Sequence, residues 1–192
     1  VFYNNVLTDI IASYVAYRAG DNYERLLRRV FQDKIRIGND VYFELHRRTP
    51  TEGRQSPYYG QLQTRASYSF LMTREDFLRV AVAMMQDYQQ QTCVGQYLRN
   101  AQNQAVRWPK YRPGNDNAQL WLHNYAADYG SQFYFDFHGM RSRNIIATEG
   151  YNGQNIIIDL DNSRVVVTNS AATGWDQRTF MLNVIRDGEL PR

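Results

Sequence analysis

Two β-branched runs near the C-terminus, Asn155–Asp159 (NIIID) and Arg164–Asn169 (RVVVTN), flank Leu160-Asp161-Asn162-Ser163. Branched side chains fit a pleated, half-buried surface, and a short polar stretch between two such runs is a hairpin signal. The period of two extends upstream. Ser131–His138 (SQFYFDFH) alternates like a strand, and Asn144–Thr148 does so weakly. Any fold for this chain must therefore carry an antiparallel sheet in its C-terminal part.

Before that, the period is helical. Asn5 can cap a helix whose apolar positions are Val6, Leu7, Ile10, Ile11, Tyr14 and Val15, with Gly20 as the stop. Asp21 or Asn22 caps a second helix through Leu26, Leu27, Val30 and Phe31. Residues 33–66 read as irregular, and Thr49–Gly60 is rich in turn formers. Thr73-Arg74-Glu75-Asp76 has capping-box spacing, with Asp for the usual Glu, and opens the run DFLRVAVAMMQDYQQQ. Phe77, Val80, Ala81, Met84 and Met85 form its buried face, the methionines as core filling. A polar helix is expected over Val94–Gln104, a connector over Trp108–Asn117, and a last helix over Gln177–Arg186, stopped by Gly188. Helices, then an antiparallel meander, then a C-terminal helix make an α+β arrangement. The period divides it into a mainly helical part, 1–117, and a part of strands and terminal helix, 118–192.

Composition narrows the function. The net charge of +3 is mild, and the densest basic cluster, Arg25, Arg28 and Arg29, reads as a solvated helix face. Nucleic-acid binding wants a stronger basic stripe on a known module, so no nucleic-acid partner is expected. The one cysteine, Cys93, excludes an internal disulfide and a paired-cysteine zinc site. The three histidines, His46, His123 and His138, have no metal-ligand spacing, so no metal and no cofactor are expected. No apolar run reaches the ~18 residues that span a bilayer. Gly150-Tyr151-Asn152-Gly153-Gln154 reads by itself as a tight turn between strands.

Three stretches resemble one family in order and spacing, and the resemblance spans nearly the whole chain from the first stretch to the last. FYNNVLTDIIASYVAYRAG is similar to a Tyr-x-Asn motif followed by a helix ending in Gly. SYSFLMTREDFLRVAVAMMQD is similar to a small-residue segment and an Asp-x-x-Arg helix, here Asp76 and Arg79. IIATEGYNGQNIIIDLDNSRVVVTNSA is similar to a third active-site strand with a Gly-x-x-Gly-Gln variant and the hairpin after it. The sequence thus resembles the C-terminal part of the serine β-lactamase-like, penicillin-binding-protein-like hydrolases: the class C β-lactamase, D-alanyl-D-alanine carboxypeptidase, esterase and 6-aminohexanoate-dimer hydrolase group.

The resemblance implies part of a β-lactamase/transpeptidase-like fold and an acyl-enzyme mechanism on a Ser-x-x-Lys serine. It makes Tyr3 the proton shuttle and Asn5 a hydrogen-bond partner of the lysine or substrate. It makes the Gln154 N–H an oxyanion donor, and Tyr151, Asn152 and Gly153 the substrate strand. Tyr151 stands where relatives carry a cation, which points away from β-lactams and toward a small neutral ester or amide. The chain holds no Ser-x-x-Lys, since neither Lys34 nor Lys110 has Ser three positions earlier. With Val1 two residues ahead of Tyr3, the expectation is a C-terminal fragment, inactive alone, whose partner is the N-terminal part of the same protein. A homo-oligomer through an exposed sheet edge is the other expected association. Similarity to cell-wall-related enzymes points to a bacterial envelope or periplasm, which the residues do not fix. The alternatives are a catalytically dead β-lactamase-like domain used for binding or scaffolding, and an unrelated α+β binding domain.

Overall fold

The computed structural model describes residues 5–38, 42–43, 45–47, 62–64, 70–108, 122–140, 142–150, 153–170 and 175–187. The expected loop Thr49–Gly60 lies outside them. The chain forms two compact units, Phe2–Asp76 and Phe77–Arg192, with Val1 grouped with the latter.

In the first unit, α1 (Asn5–Ala19) ends at Gly20, whose φ of 52° is a conformation that glycine adopts without steric cost. A 3-10 turn, Gly20–Asn22, leads to α2 (Tyr23–Arg28), which continues as a π-helical turn over Arg29–Lys34. The stretch read as irregular holds short strands: β1 (Tyr42–Phe43), β2 (Leu45–Arg47) and β3 (Leu62–Thr64). β1 pairs with β4 (Phe70–Leu71) and β2 with β3, both antiparallel. Half of the capping box forms, with the Asp76 N–H donating to Thr73 Oγ1 at 3.2 Å. The buried Asp76 carboxylate accepts the Gly38 N–H at 3.1 Å.

The second unit is built on a sheet. α3 (Arg74–Gln89) leads through Thr92, whose hydroxyl accepts the Gly95 N–H at 3.3 Å, into α4 (Cys93–Asn103). That contact is the N-cap bond expected of threonine. Then come β5 (Val106–Arg107), a 3-10 turn at Leu122–Tyr125, β6 (Ala126–Gly130), β7 (Phe133–Phe137), β8 (Ile145–Gly150), β9 (Gln154–Asp159), β10 (Arg164–Asn169) and α5 (Gln177–Asp187). The strands form a six-stranded sheet in the order β10-β9-β8-β7-β6-β5. Every neighbouring pair is antiparallel, so it is a meander.

Both faces of the sheet are covered. Ile145, Ala147 and Ile157 pack on Met181, Leu182 and Ile185 of α5. Ile146, Ile156 and Ile158 pack on Ala81, Tyr88, Leu98 and Ala101 of α3 and α4. A strand buried on both sides has no polar phase, which is why β9 reads as an unbroken isoleucine run. Each such side chain contributes about 1.5–3 kcal/mol by leaving water. Met84 and Met85 lie against the α3/α4 cluster, in the core-filling role expected of them. The Leu160–Ser163 turn is where the sequence places it. Asp159 Oδ1 accepts the N–H groups of Asp161 (3.1 Å) and Asn162 (3.2 Å), an Asx-type turn.

Candidate functional site

On the α5 face, the apolar rows of the sheet give way to a polar one beside the β8–β9 hairpin. Glu149 of β8 stands opposite Asn155 of β9, and Asn155 opposite Thr168 of β10. Residues directly opposite in a ladder share a face. Thr168 Oγ1 donates to the Gly153 carbonyl at 2.7 Å. The fully buried Asn155 donates from Nδ2 to Gln177 Oε1 at the start of α5, at 2.9 Å.

Glu149 is the centre of the row. Its carboxylate accepts the backbone N–H groups of Leu122 (3.0 Å) and His123 (2.9 Å), the unpaired donors at the start of the 3-10 turn. It also meets His123 Nδ1 at 2.6 Å, with side-chain exposures of 20% for His123 and 5% for Glu149. A carboxylate taking these bonds is an acceptor, so Nδ1 carries the proton between them. The imidazole is stacked on Tyr134 (centroids 5.8 Å, 25°) and meets the edge of Trp108 (6.1 Å, 83°). A histidine held in one tautomer and one orientation by a carboxylate has the base-and-orienter geometry of hydrolytic sites. The same contacts also cap the 3-10 turn.

The hairpin itself explains Gly153. Gly150 pairs with Gln154, and the Gly153 N–H donates to the Gly150 carbonyl at 3.2 Å. Gly153 has a φ of 88°, the left-handed residue that closes a three-residue hairpin loop. A Cβ there would lie 3.0 Å from Nε1 of Trp175, so the indole covers Gly153. Trp175 in turn packs its ring on Phe180 (5.6 Å). Asn155 Oδ1 and Trp175 Nε1 are buried with no hydrogen-bond partner among the described residues. A buried polar atom left so costs about 1–3 kcal/mol.

Of the residues expected to carry chemistry, Gly153 and Gln154 are brought together at this hairpin. Gln154 Nε2 also donates to the Ser170 carbonyl. The strand that follows is interior, with β8 and β10 on its flanks, so Gly153 meets its surroundings at the hairpin end and not along a strand edge. Asn5 opens α1 in the first unit. Tyr3, Tyr151 and Asn152 lie outside the described residues. The His123–Glu149 pair was not expected from sequence. Its signal is Glu149 itself, an acid on the inward phase Ile145, Ala147, Glu149 of β8. Among the described residues no His, Cys, Asp and Glu side chains group as a metal site would need. Compared with protein families, curated proteins and solved structures, the chain has no significant match.

Proposed function

We propose that this chain is the C-terminal part of a β-lactamase-like serine hydrolase that cleaves a small neutral ester or amide through an acyl-enzyme. The observation that carries the reading is the layered second unit. An antiparallel meander has α5 on one face and α3 and α4 on the other, and the Gly-x-x-Gly-Gln hairpin stands beside a buried polar row. In this reading the Ser-x-x-Lys nucleophile and base come from polypeptide outside these residues, and this chain alone is inert. Tyr3 relays the proton, Asn5 binds the lysine or substrate, and the Gln154 N–H stabilises the oxyanion. Tyr151, Asn152 and Gly153 hold the substrate.

In this reading the partner polypeptide has candidate docking surfaces. On α1, Leu7, Ile10, Ile11, Tyr14 and Tyr17 are 52–71% exposed, an apolar stripe larger than a lone surface residue. At the sheet's end, β10 pairs only with β9 among the described residues. Without that partner, a second copy can take the same edge. One observation favours the second reading, a catalytically dead binding module: Trp175 already fills the space beside Gly153 where a substrate would lie.

The test joins this chain to the polypeptide encoded upstream and measures p-nitrophenyl ester and anilide hydrolysis. Tyr3→Phe should lower turnover by ~10²–10⁴-fold with the fold intact, the usual weight of a proton relay. Unchanged turnover would remove Tyr3 from the mechanism. An upstream segment without Ser-x-x-Lys would leave the binding-module reading.

A further inference from the structure

In the first unit, α1 and α2 meet around a groove of about 440 Å³ lined by Arg18, Ala19, Asn22, Arg25, Leu26 and Arg29. Ala19 and Leu26 are its apolar lining, and among the described residues no acidic side chain lines it. Arg25 and Arg29 are four apart, so they share one helix face with each other. Arg18 comes from the last turn of α1. None of these guanidiniums makes a hydrogen bond or ion pair among the described residues. The arginines of the sheet unit behave differently. Arg107 pairs with Asp128, Arg143 with Asp159 and Arg186 with Asp187, while Arg99 and Arg164 bond backbone carbonyls.

Like charges converging on a concavity repel one another, and a concave wall focuses their field. A guanidinium is also the side chain best shaped to take two oxygens of a tetrahedral anion at once. We propose that this groove binds a phosphate-bearing anion, with Arg18, Arg25 and Arg29 as the charge donors and the Asn22 amide as a neutral one. The free anion and the headgroup of an anionic lipid share this chemistry. The site is independent of the hydrolase reading, since it uses no residue of the hairpin or of Tyr-x-Asn.

The test is calorimetric titration of inorganic pyrophosphate into the full chain at an ionic strength of about 0.15 M, where the screening length is about 8 Å, beside flotation with vesicles. The vesicles are phosphatidylcholine alone or mixed with phosphatidylglycerol. Saturable binding is expected, weakened about tenfold or more in Arg25→Gln and in Arg29→Gln, each made singly, the weight of a charged hydrogen bond lost. Arg28→Gln removes the same charge from the same helix but is off the groove. It should leave affinity within about twofold, because an exposed charge outside the contact is screened. Groove-dependent binding of pyrophosphate assigns the free anion as the ligand. Groove-dependent flotation only with phosphatidylglycerol assigns the headgroup. No saturable binding of either probe would overturn the site, as would Arg28→Gln weakening it as much as Arg25→Gln. The arginines are exposed and make no ion pair among the described residues, so circular dichroism of the variants should match the parent chain.

Discussion

At the scale of single residues, Asp159 ties the β9–β10 turn to the end of α5 through Arg143. It is fully buried, and it bonds Arg143 Nε at 2.9 Å and Asn162 Nδ2 at 2.8 Å. Arg143 then donates to the Ile185 (2.7 Å) and Arg186 (3.2 Å) carbonyls, the unpaired acceptors at the end of α5. Burial opposes ionisation of Asp159. The hydrogen bonds from Asn162 and Arg143 outweigh it, so its pKa lies below the ordinary carboxylate value. A depressed folded pKa gives stability that is present above the unfolded value of about 3.9 and is lost as pH falls through the folded one. Asp159→Asn should therefore cost about 3 kcal/mol at neutral pH, the weight of a broken buried pair. It should also flatten the acid side of the stability profile. Urea midpoints at about pH 7 and below about pH 3 check both. A variant that keeps the parent's acid dependence would mean that other carboxylates set it. None of this network is legible in sequence, because Arg143 and Asp159 meet only when β8 and β9 pair.

Between elements, α3 and α4 come close at their shared corner. A Cβ on Gly95 would lie 1.9 Å from the Asp87 carbonyl oxygen, which is backbone and cannot step aside. Gly95→Ala should destabilise the chain by about 1–3 kcal/mol or more, the cost of overpacking, as read from its thermal midpoint. A variant with the parent's midpoint would show that the two helices can separate without cost. The hairpin β9–β10 and helix α5 are plain in the sequence because their periodicity and turn chemistry agree. β6 is not. Ala126-Ala127-Asp128-Tyr129-Gly130 has little strand propensity. Its turn to β7 uses Ser131 and Gln132, both at positive φ (49° and 74°). That is the backbone of a type I′ turn without the Asn-Gly that announces one. Burial against α4 and β7 decides what propensity leaves open. The polar row is hidden for a related reason. His123 and Glu149 are separated by a strand pair, and only the inward phase of Glu149 hints at their contact.

For the whole molecule, the sheet's two ends differ. β5 has two residues, one of them the exposed Arg107, and such a short charged edge resists pairing. β10 has six, with Val165, Val166 and Val167 at its centre and no charge beyond Arg164. An edge so long and so apolar is a template for another strand. Purified without a partner, the chain should scatter light as an assembly heavier than its 22.6 kDa, in a concentration-dependent way. A monodisperse monomer at high concentration would mean that the edge is covered from within. The α+β order is legible from the switch of period, since helix and strand spacings differ throughout. The route from fold to chemistry is not, because a hydrolytic serine would lie outside these residues. The most direct measurement labels the protein, joined to whatever polypeptide its gene encodes upstream, with a fluorophosphonate, and maps the modified residue by mass spectrometry. Loss of fluoride leaves the phosphonyl group on the attacking serine oxygen. The proposal predicts the label on the serine of a Ser-x-x-Lys outside this chain, with the isolated chain unlabelled. A label on a serine within these residues, or none on the joined protein, would contradict it.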